Sequence, residues 1–429
     1  MPYVYKDLLA MINRIRLFIE RLKYNKDEKV VMSNLWYMSL LQIAGYIFPL
    51  VSVPYMSRIV GAFGFGKIAF AAAVMVWIQT VVDWGFNYTA TRDVARNRNN
   101  LKEVSNIFST VLFARLLLMT VSFILLNILL CVIPQFKESR DIILVTFLMV
   151  PGHIFFPDWF FQGMERMKYV SIMNLLTKFC FTIAIFVFIK KENDYILYPL
   201  FLSLGYLVSG SLAMYVILMR WKIRIVKPRL VDIINKINGS TDVFINNLMP
   251  NFYNNLSVLL LGFFFGPISN GIYDAGKKIV YILDQFINVV TRVFFPYIVR
   301  KPENHAMYAK LSLFMALLCS ILLFIFAPFI ISVFYGQNFD KSIDVLRITS
   351  FSVFFYTLIH VYGKNYMLAK GLDKELRNIT VVVSIVGLFI SVPFVYYFSY
   401  IGASLTFLIS SCLLGGSCCF YVRHRIKTS

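Results

Sequence analysis

The sequence predicts an all-α polytopic membrane protein with about twelve transmembrane helices in two six-helix bundles. Three observations carry that expectation. First, 59% of the 429 residues are hydrophobic and only 15% are charged, against about 45–50% and about 25% in an average soluble domain. The mean hydropathy is +0.70. A water-soluble core of this size cannot hide so much apolar surface, which excludes a soluble enzyme, a collagen, a disordered chain and a disulfide scaffold. Second, stretches of about 20 apolar residues, the length that crosses a bilayer, recur twelve times. Third, the basic residues alternate between loops in the way that orients membrane helices.

The first six stretches cover residues 33–57, 67–90, 105–133, 141–162, 168–189 and 195–219, and the second six cover 241–265, 268–298, 308–334, 343–367, 376–397 and 400–422. Connections between them are short, leaving no room for a large soluble domain or a nucleic-acid-binding domain. No cleavable signal peptide is expected, because the N-terminus is too charged. Of the 42 Lys and Arg, 28 fall in segments on the N-terminal side of the predicted membrane, seven fall in the opposite loops and seven lie within spans. This asymmetry predicts that both termini are cytoplasmic. Residues 1–32 carry Leu8, Met11, Ile12, Ile15, Ile19 and Leu22 on one helical stripe, with Arg14, Arg16, Arg21 and Lys23 elsewhere. That pattern predicts an amphipathic helix on the anionic leaflet.

The basic linker 220–240 divides the chain into an N-terminal bundle, 33–219, and a C-terminal bundle, 241–422, followed by a short tail, 423–429. A loose echo of Gly66-x-x-x-x-Ala71 in Gly271-x-x-x-Ala275, slipped by one residue, suggests that the halves are repeats. Parallel repeats place a substrate between them.

Motifs for chemistry are scarce. Residues 61–67 fit G-x-x-x-x-G-K, but Ile68 stands where a phosphate-binding loop needs Ser or Thr, and a membrane helix precedes it. The four histidines and six cysteines show no metal-ligand spacing. No catalytic constellation stands out, so neither an enzyme nor a bound cofactor or metal is expected.

Charges inside spans carry the functional signal, since each costs at least ~2.5–3.5 kcal/mol on insertion. In the eighth span Asp274, Lys277, Lys278, Tyr281, Asp284, Gln285, Asn288 and Arg292 fall on one stripe. Such a face lines water or substrate, or is silenced by internal pairs such as Asp274 with Lys278. Gln79, Asp83 and Asn87 share a face of the second span. The seventh adds Asn247, Asn251 and Asn254 near Pro250, and the tenth adds Asp344, Arg347 and Lys364. Arg115 and Lys178 lie mid-span in the first half. Pooled, seven in-span bases face five aspartates, Asp83, Asp158, Asp274, Asp284 and Asp344, which predicts a net positive cavity suited to an anionic head group.

Several stretches resemble the bacterial polysaccharide (O-antigen) flippases. They run from Phe48-Pro49-Leu50 through Pro54-Tyr55-Met56-Ser57-Arg58-Ile59-Val60-Gly61 to Asp83-Trp84-Gly85-Phe86-Asn87, Ala90-Thr91-Arg92 and Pro157-Asp158-Trp159-Phe160-Phe161-Gln162-Gly163-Met164-Glu165. Trp84 stands where Phe or Tyr is more usual. The resemblance implies a member of the multidrug/oligosaccharidyl-lipid/polysaccharide exporter superfamily in the bacterial inner membrane. Its two bundles would form a V around a central cavity. It would move a polyprenyl-pyrophosphate-linked oligosaccharide between leaflets by alternating access, with coupling to Na⁺ or H⁺. On that reading Lys277, Lys278 and Arg292 are the first choices to hold the pyrophosphate, with Arg58, Arg115, Lys178 and Lys364 behind them. Asn247, Asn251, Gln285 and Asn288 complete the substrate path, and Asp83, Asp284 or Asp274 serve the coupling ion. The expected partners are the lipid-linked oligosaccharide, membrane lipids, a polysaccharide polymerase and a chain-length regulator, with the chain itself a monomer. The alternatives are a drug/cation antiporter of the same superfamily and a flippase for a teichoic-acid or peptidoglycan precursor.

Overall fold

The computed structural model describes residues 26–300 and 305–428, and all its regular elements there are helical. The amphipathic stripe expected from Leu8 to Leu22 lies outside the described residues. Eight helical stretches among them are long and apolar enough to cross a membrane, so the chain is a multi-pass membrane protein.

Helix α1 runs Lys26–Asp83 and covers both of the first two apolar stretches. The break that the sequence places between them is Gly61, at φ 64° and ψ −177°, a conformation open almost only to glycine. The chain then turns through Trp84 (φ 40°) and Gly85 (φ 77°) into α2, Phe86–Asn97. Helix α3, Leu101–Val132, is capped by the Asn100 side chain, which accepts from the Glu103 amide at 3.2 Å. The fourth stretch is built from short pieces, α4 (Pro134–Glu138), α5 (Arg140–Phe147), α6 (Met149–Phe155) and α7 (Asp158–Gly163). Pro157 lacks the amide that would continue the helix across the last junction. Helices α8 (Met167–Phe188) and α9 (Leu197–Tyr215) complete the first half, and α9 ends in a π-helical turn, Val216–Arg220.

The linker carries α10, Leu230–Asn238. The second half opens with α11 (Thr241–Leu248), α12 (Asn251–Asn254) and α13 (Leu256–Phe264), a broken helix with Pro250 at one break. Then come α14 (Gly266–Arg300), α15 (His305–Phe334), α16 (Ser342–Ser350) and α17 (Ser352–Leu358), the last continued by a π-helical segment, Ile359–Met367. Helix α18, Asp373–Thr428, joins the last two apolar stretches through a break at Ser399. There Gly402 lies so close to the Phe394 carbonyl that a Cβ would stand 1.8 Å from its oxygen.

The P-loop-like stretch has a structural use. The Lys67 ammonium donates to the Glu138 carbonyl at 2.7 Å, so it ties α1 to the C-terminal end of α4. Gly64 packs on Val60 and Tyr195.

The most specific family-like stretch, 157–165, seats α7 on α2. Trp159, Phe160 and Phe161 are buried, Gly163 lies against Val94 and the Thr91 carbonyl, and the Thr91 hydroxyl donates to the Trp159 carbonyl at 3.1 Å.

Candidate functional site

The two halves meet along a seam with two polar or close-packed ends. At one end α1 crosses α14. A Cβ on Gly66 would stand 1.7 Å from the Pro267 carbonyl oxygen, and one on Gly271 would stand 2.2 Å from that of Ala62. The same sequence separation divides Gly61 from Gly266, Ala62 from Pro267 and Gly66 from Gly271, and both Gly61 and Gly266 have positive φ. The contact is therefore a pseudo-two-fold one, in which equivalent residues of the two halves meet each other. This corrects the repeat read from the sequence. Gly66 does correspond to Gly271, but without the slippage, so Gly276 and not Ala275 is the counterpart of Ala71. Around the crossing, the Phe65 ring meets Tyr335 and Phe339, each at 5.8 Å, and Arg58 donates to the Val333 carbonyl.

At the other end Trp84 stacks on Phe244 with ring centroids 3.9 Å apart and its indole N–H donates to Thr241 Oγ1 at 3.4 Å. The residue that departs from the usual Phe or Tyr thus makes a cross-half hydrogen bond that Phe could not make. Gly85 is needed beside it, since a Cβ would stand 2.7 Å from Val243 Cβ. Thr89 and Ser240 hydroxyls pair at 2.8 Å, and Lys236 bridges to Asp93 at 2.5 Å. Between the two ends, Asn251 donates to Thr80 Oγ1 at 3.0 Å.

Polar groups within the first half form one compact set. Arg115 is 3% exposed, and its guanidinium donates to Asp83 and to Asn87 Oδ1, both at 2.7 Å. Asp158 and His153 lie within electrostatic reach of both Asp83 and Arg115. The guanidinium is committed to the fold of this half.

The stripe on α14 divides among several neighbours. Lys278 bonds Asp274 at 3.3 Å, the i,i+4 pair foreseen from the sequence, and its ammonium lies over the Phe65 ring of α1, 5.1 Å from the centroid. Lys277 points to the second half's own helices. It donates to the Asn254 carbonyl and lies over the rings of Phe407 and Tyr273, at 4.7 and 5.3 Å. Asn254 in turn accepts from the Tyr356 hydroxyl at 3.0 Å. Further along, Asp284 bonds His360 at 2.8 Å and Asn288 accepts from Lys364 at 3.2 Å. Gln285 is half-buried on the same face. The Arg292 side chain lies outside the described residues.

Lys277, Lys278, Asp274, Asp284, Asn288 and Lys364 are therefore brought together along α14, while six other candidates are not, Asp83 being held by Arg115 and Asn251 by Thr80. Arg58 is at the rim of the seam, Arg115 is inside the first half, Lys178 lies beside Gly45 of α1, and Asn247 is exposed on α11. Sequence reasoning missed Thr80, His360, Tyr356 and Trp84. Of these His360 had a legible signal, being one turn before Lys364 in an apolar stretch. No group of three or more His, Cys, Asp or Glu among the described residues has the geometry to hold a metal ion.

The helical membrane fold, with its repeated crossing at the seam of the two halves, is one that solved membrane transporters share. The polysaccharide biosynthesis protein family matches residues 31–301, and the chain belongs to that family. Two similar proteins share the name "Putative O-antigen transporter". The one from Escherichia coli (strain K12) is 26% identical over 408 residues, covering 93% of this chain and 98% of that protein. The one from Shigella dysenteriae is 24% identical over 387 residues, covering 89% and 97%. Among solved structures the fold is similar to that of the lipid II flippase MurJ in an inward closed conformation, with a TM-score of 0.74, 13% identity and coverage of 91% of this chain and 87% of that one. It is also similar to an outward-facing multidrug resistance transporter of the MATE family, with a TM-score of 0.54, 15% identity and coverage of 95% and 97%.

Proposed function

We propose that the protein flips a polyprenyl-pyrophosphate-linked oligosaccharide, an O-antigen or similar repeat unit, from the cytoplasmic to the periplasmic leaflet of the inner membrane. The names of its relatives support the substrate class. One structural observation supports the mechanism above the others. The Lys278–Asp274 pair sits on the seam itself, with the ammonium against a ring of the opposite half. A diphosphate entering between the halves competes with Asp274 for that ammonium. Lys277, which rests on a carbonyl and two rings, is available one position away. Charge-assisted hydrogen bonds of this kind are what offset the desolvation of a buried diphosphate.

In this reading the chain crosses the membrane twelve times. The two long stretches are divided at Gly61 and Ser399, and the polar helices 241–264 and 266–300 cross as well. Residues 33–219 and 241–422 form the two bundles, arranged as a V whose cavity opens to one side at a time. Residues 1–32 and 220–240 and the tail 423–429 are cytoplasmic. The crossing at Gly66 and Gly271 closes the periplasmic end, and the contacts of Trp84, Thr89 and Asp93 close the cytoplasmic end. Sugars fill the lumen, and the polyprenyl chain remains in lipid. An ion gradient, of Na⁺ or H⁺, drives the cycle through an in-span aspartate. The chain acts as a monomer and supplies its product to a polysaccharide polymerase and a chain-length regulator.

The test is complementation. A strain lacking this protein and expressing Lys277→Ala/Lys278→Ala/Arg292→Ala is expected to lose surface polysaccharide while the variant inserts at normal levels. Normal surface polysaccharide in that strain would remove α14 from the substrate path.

A further inference from the structure

The linker between the halves is fastened to the first half. The Arg224 amide donates to Ser105 Oγ at 3.2 Å and the Val226 amide to Ser109 Oγ at 2.9 Å, so this stretch of the linker runs alongside the first turns of α3. Helix α10 follows, and its Lys236 bridges to Asp93 of α2. Between these anchorages the linker, α2 and α3 enclose a cavity of about 650 Å³, a size usual for small-molecule clefts.

The charged lining of the cavity balances, with Asp93, Glu103 and Asp232 against Lys227, Arg229 and Lys236. Four of these six are already paired. Arg229 holds Asp232 through two bonds of 3.0 Å, and Lys236 holds Asp93. Glu103 on α3 and Lys227 on the linker have no bond to any described residue, and they do not meet each other. Asn106, Thr110 and Asn235 complete the polar wall.

The length of α3 sets the level of the cavity in the bilayer. Its 32 residues make about 48 Å of helix, against a hydrocarbon layer of about 30 Å. A centred α3 overhangs that layer by about 9 Å, or about six residues, at each end. Glu103 and Asn106 therefore stand in the head-group layer, with Thr110 just inside the hydrocarbon. Leu230, Val231 and Ile234 are exposed together on one face of α10, as the apolar face of an interfacial helix is. An anionic lipid or a diphosphate brings only negative charge to a cavity that already holds three carboxylates. A zwitterion with a phosphate and a primary ammonium matches both unpaired groups.

We propose that this cavity binds a phospholipid head group carrying a phosphate and a primary ammonium, as in phosphatidylethanolamine, with the phosphate on Lys227 and the ammonium on Glu103. Bound there, the lipid braces the linker against the first half. The inference goes beyond the flippase reading and needs only that α3 spans the membrane.

The test is native mass spectrometry of the full-length protein released from bilayers of phosphatidylethanolamine, phosphatidylcholine and phosphatidylglycerol in equal amounts. The wild type is expected to retain phosphatidylethanolamine about tenfold over phosphatidylcholine, whose quaternary ammonium has no N–H for Glu103, and over phosphatidylglycerol, which has no ammonium. Glu103→Gln and Lys227→Gln, both at exposed positions, should each lower that retention about tenfold, as loss of one charge-assisted bond implies. Glu103→Gln should also raise retention of phosphatidylglycerol, because it removes a repelling carboxylate. Equal retention of the three lipids by the wild type, or retention of phosphatidylethanolamine unchanged in both variants, would overturn the proposal. Displacement of the lipid by free glycerophosphoethanolamine at equal concentration would overturn the assignment to a membrane lipid. None of these readings needs transport, so failure of the wild type to flip would overturn the flippase reading alone.

Discussion

The two halves of the chain are both helical and hold the charges that the sequence places within spans in opposite ways. In the first, Arg115 is closed off by Asp83 and Asn87, and the in-span bases Arg115 and Lys178 are matched by Asp83 and Asp158. In the second, Lys277, Lys278, Arg292, Arg347 and Lys364 outnumber Asp274, Asp284 and Asp344, and Lys277 meets a carbonyl and two rings. The positive surplus that a pooled count spreads over one cavity therefore belongs to the second half. Arg115 is held by a carboxylate of its own half and serves the fold, whereas under the proposed function Lys277, held by neutral partners, and Lys278, against a ring of the other half, are the bases that meet the ligand.

Charge deletion sharpens this contrast most. Removing Lys277 and Lys278 together is expected to lower flipping at least about 100-fold, as loss of charge-assisted bonds worth about 1.5–3 kcal/mol each implies, with little change in protein level on immunoblots. Arg115→Ala should do the reverse. It leaves Asp83 without its partner, at a cost of about 3 kcal/mol of stability, the low end for broken buried pairs because Asp83 is 36% exposed. Thermal-shift assays should show the loss, while flipping per folded molecule holds. If both variants fail in the same way, the division between the halves is wrong.

The seam offers a symmetric test of smaller effect. Gly66→Ala and Gly271→Ala each put a Cβ into the opposite half's backbone. Overpacking by about 1–3 kcal/mol corresponds to about a 5- to 150-fold shift toward the conformation in which that end is open. Distances between spin labels across the seam should lengthen alike for both variants, since the two glycines are equivalent. The smallest effect is expected for Lys236→Ala at the opposite end. Its bridge to Asp93 is part-exposed, worth about 0.2–1 kcal/mol, and only a modest change in the same label distances should follow.

Local rules made part of this legible in the sequence. Helical periodicity placed eight polar side chains on one face of α14, and the i,i+4 spacing gave the Asp274–Lys278 pair. The apolar stretches left 58–66 between them, where Gly61 breaks the helix, and a loose echo paired Gly66 with Gly271, although not in its exact register. Partners across space were hidden. Arg115 and Asp83 are 32 residues apart, and Asp284 and His360 are 76 apart, so no local pattern links them. Trp84 looked like a departure from the usual residue until its cross-half hydrogen bond to Thr241 gave it a purpose. The pooled charge count misled for the same reason, since a sequence does not say which bases are already satisfied.

The central claim is that this chain moves a lipid-linked oligosaccharide across a bilayer by way of the bases on α14. The most direct test is reconstitution of the purified wild type and of Lys277→Ala/Lys278→Ala/Arg292→Ala into liposomes carrying a polyprenyl-pyrophosphate-linked oligosaccharide, with the fraction in the outer leaflet followed over time by an impermeant sugar-modifying enzyme. Rapid redistribution by the wild type, with the variant no faster than protein-free liposomes, is the predicted result. Equal redistribution by wild type and variant, or none by the wild type, would contradict the account.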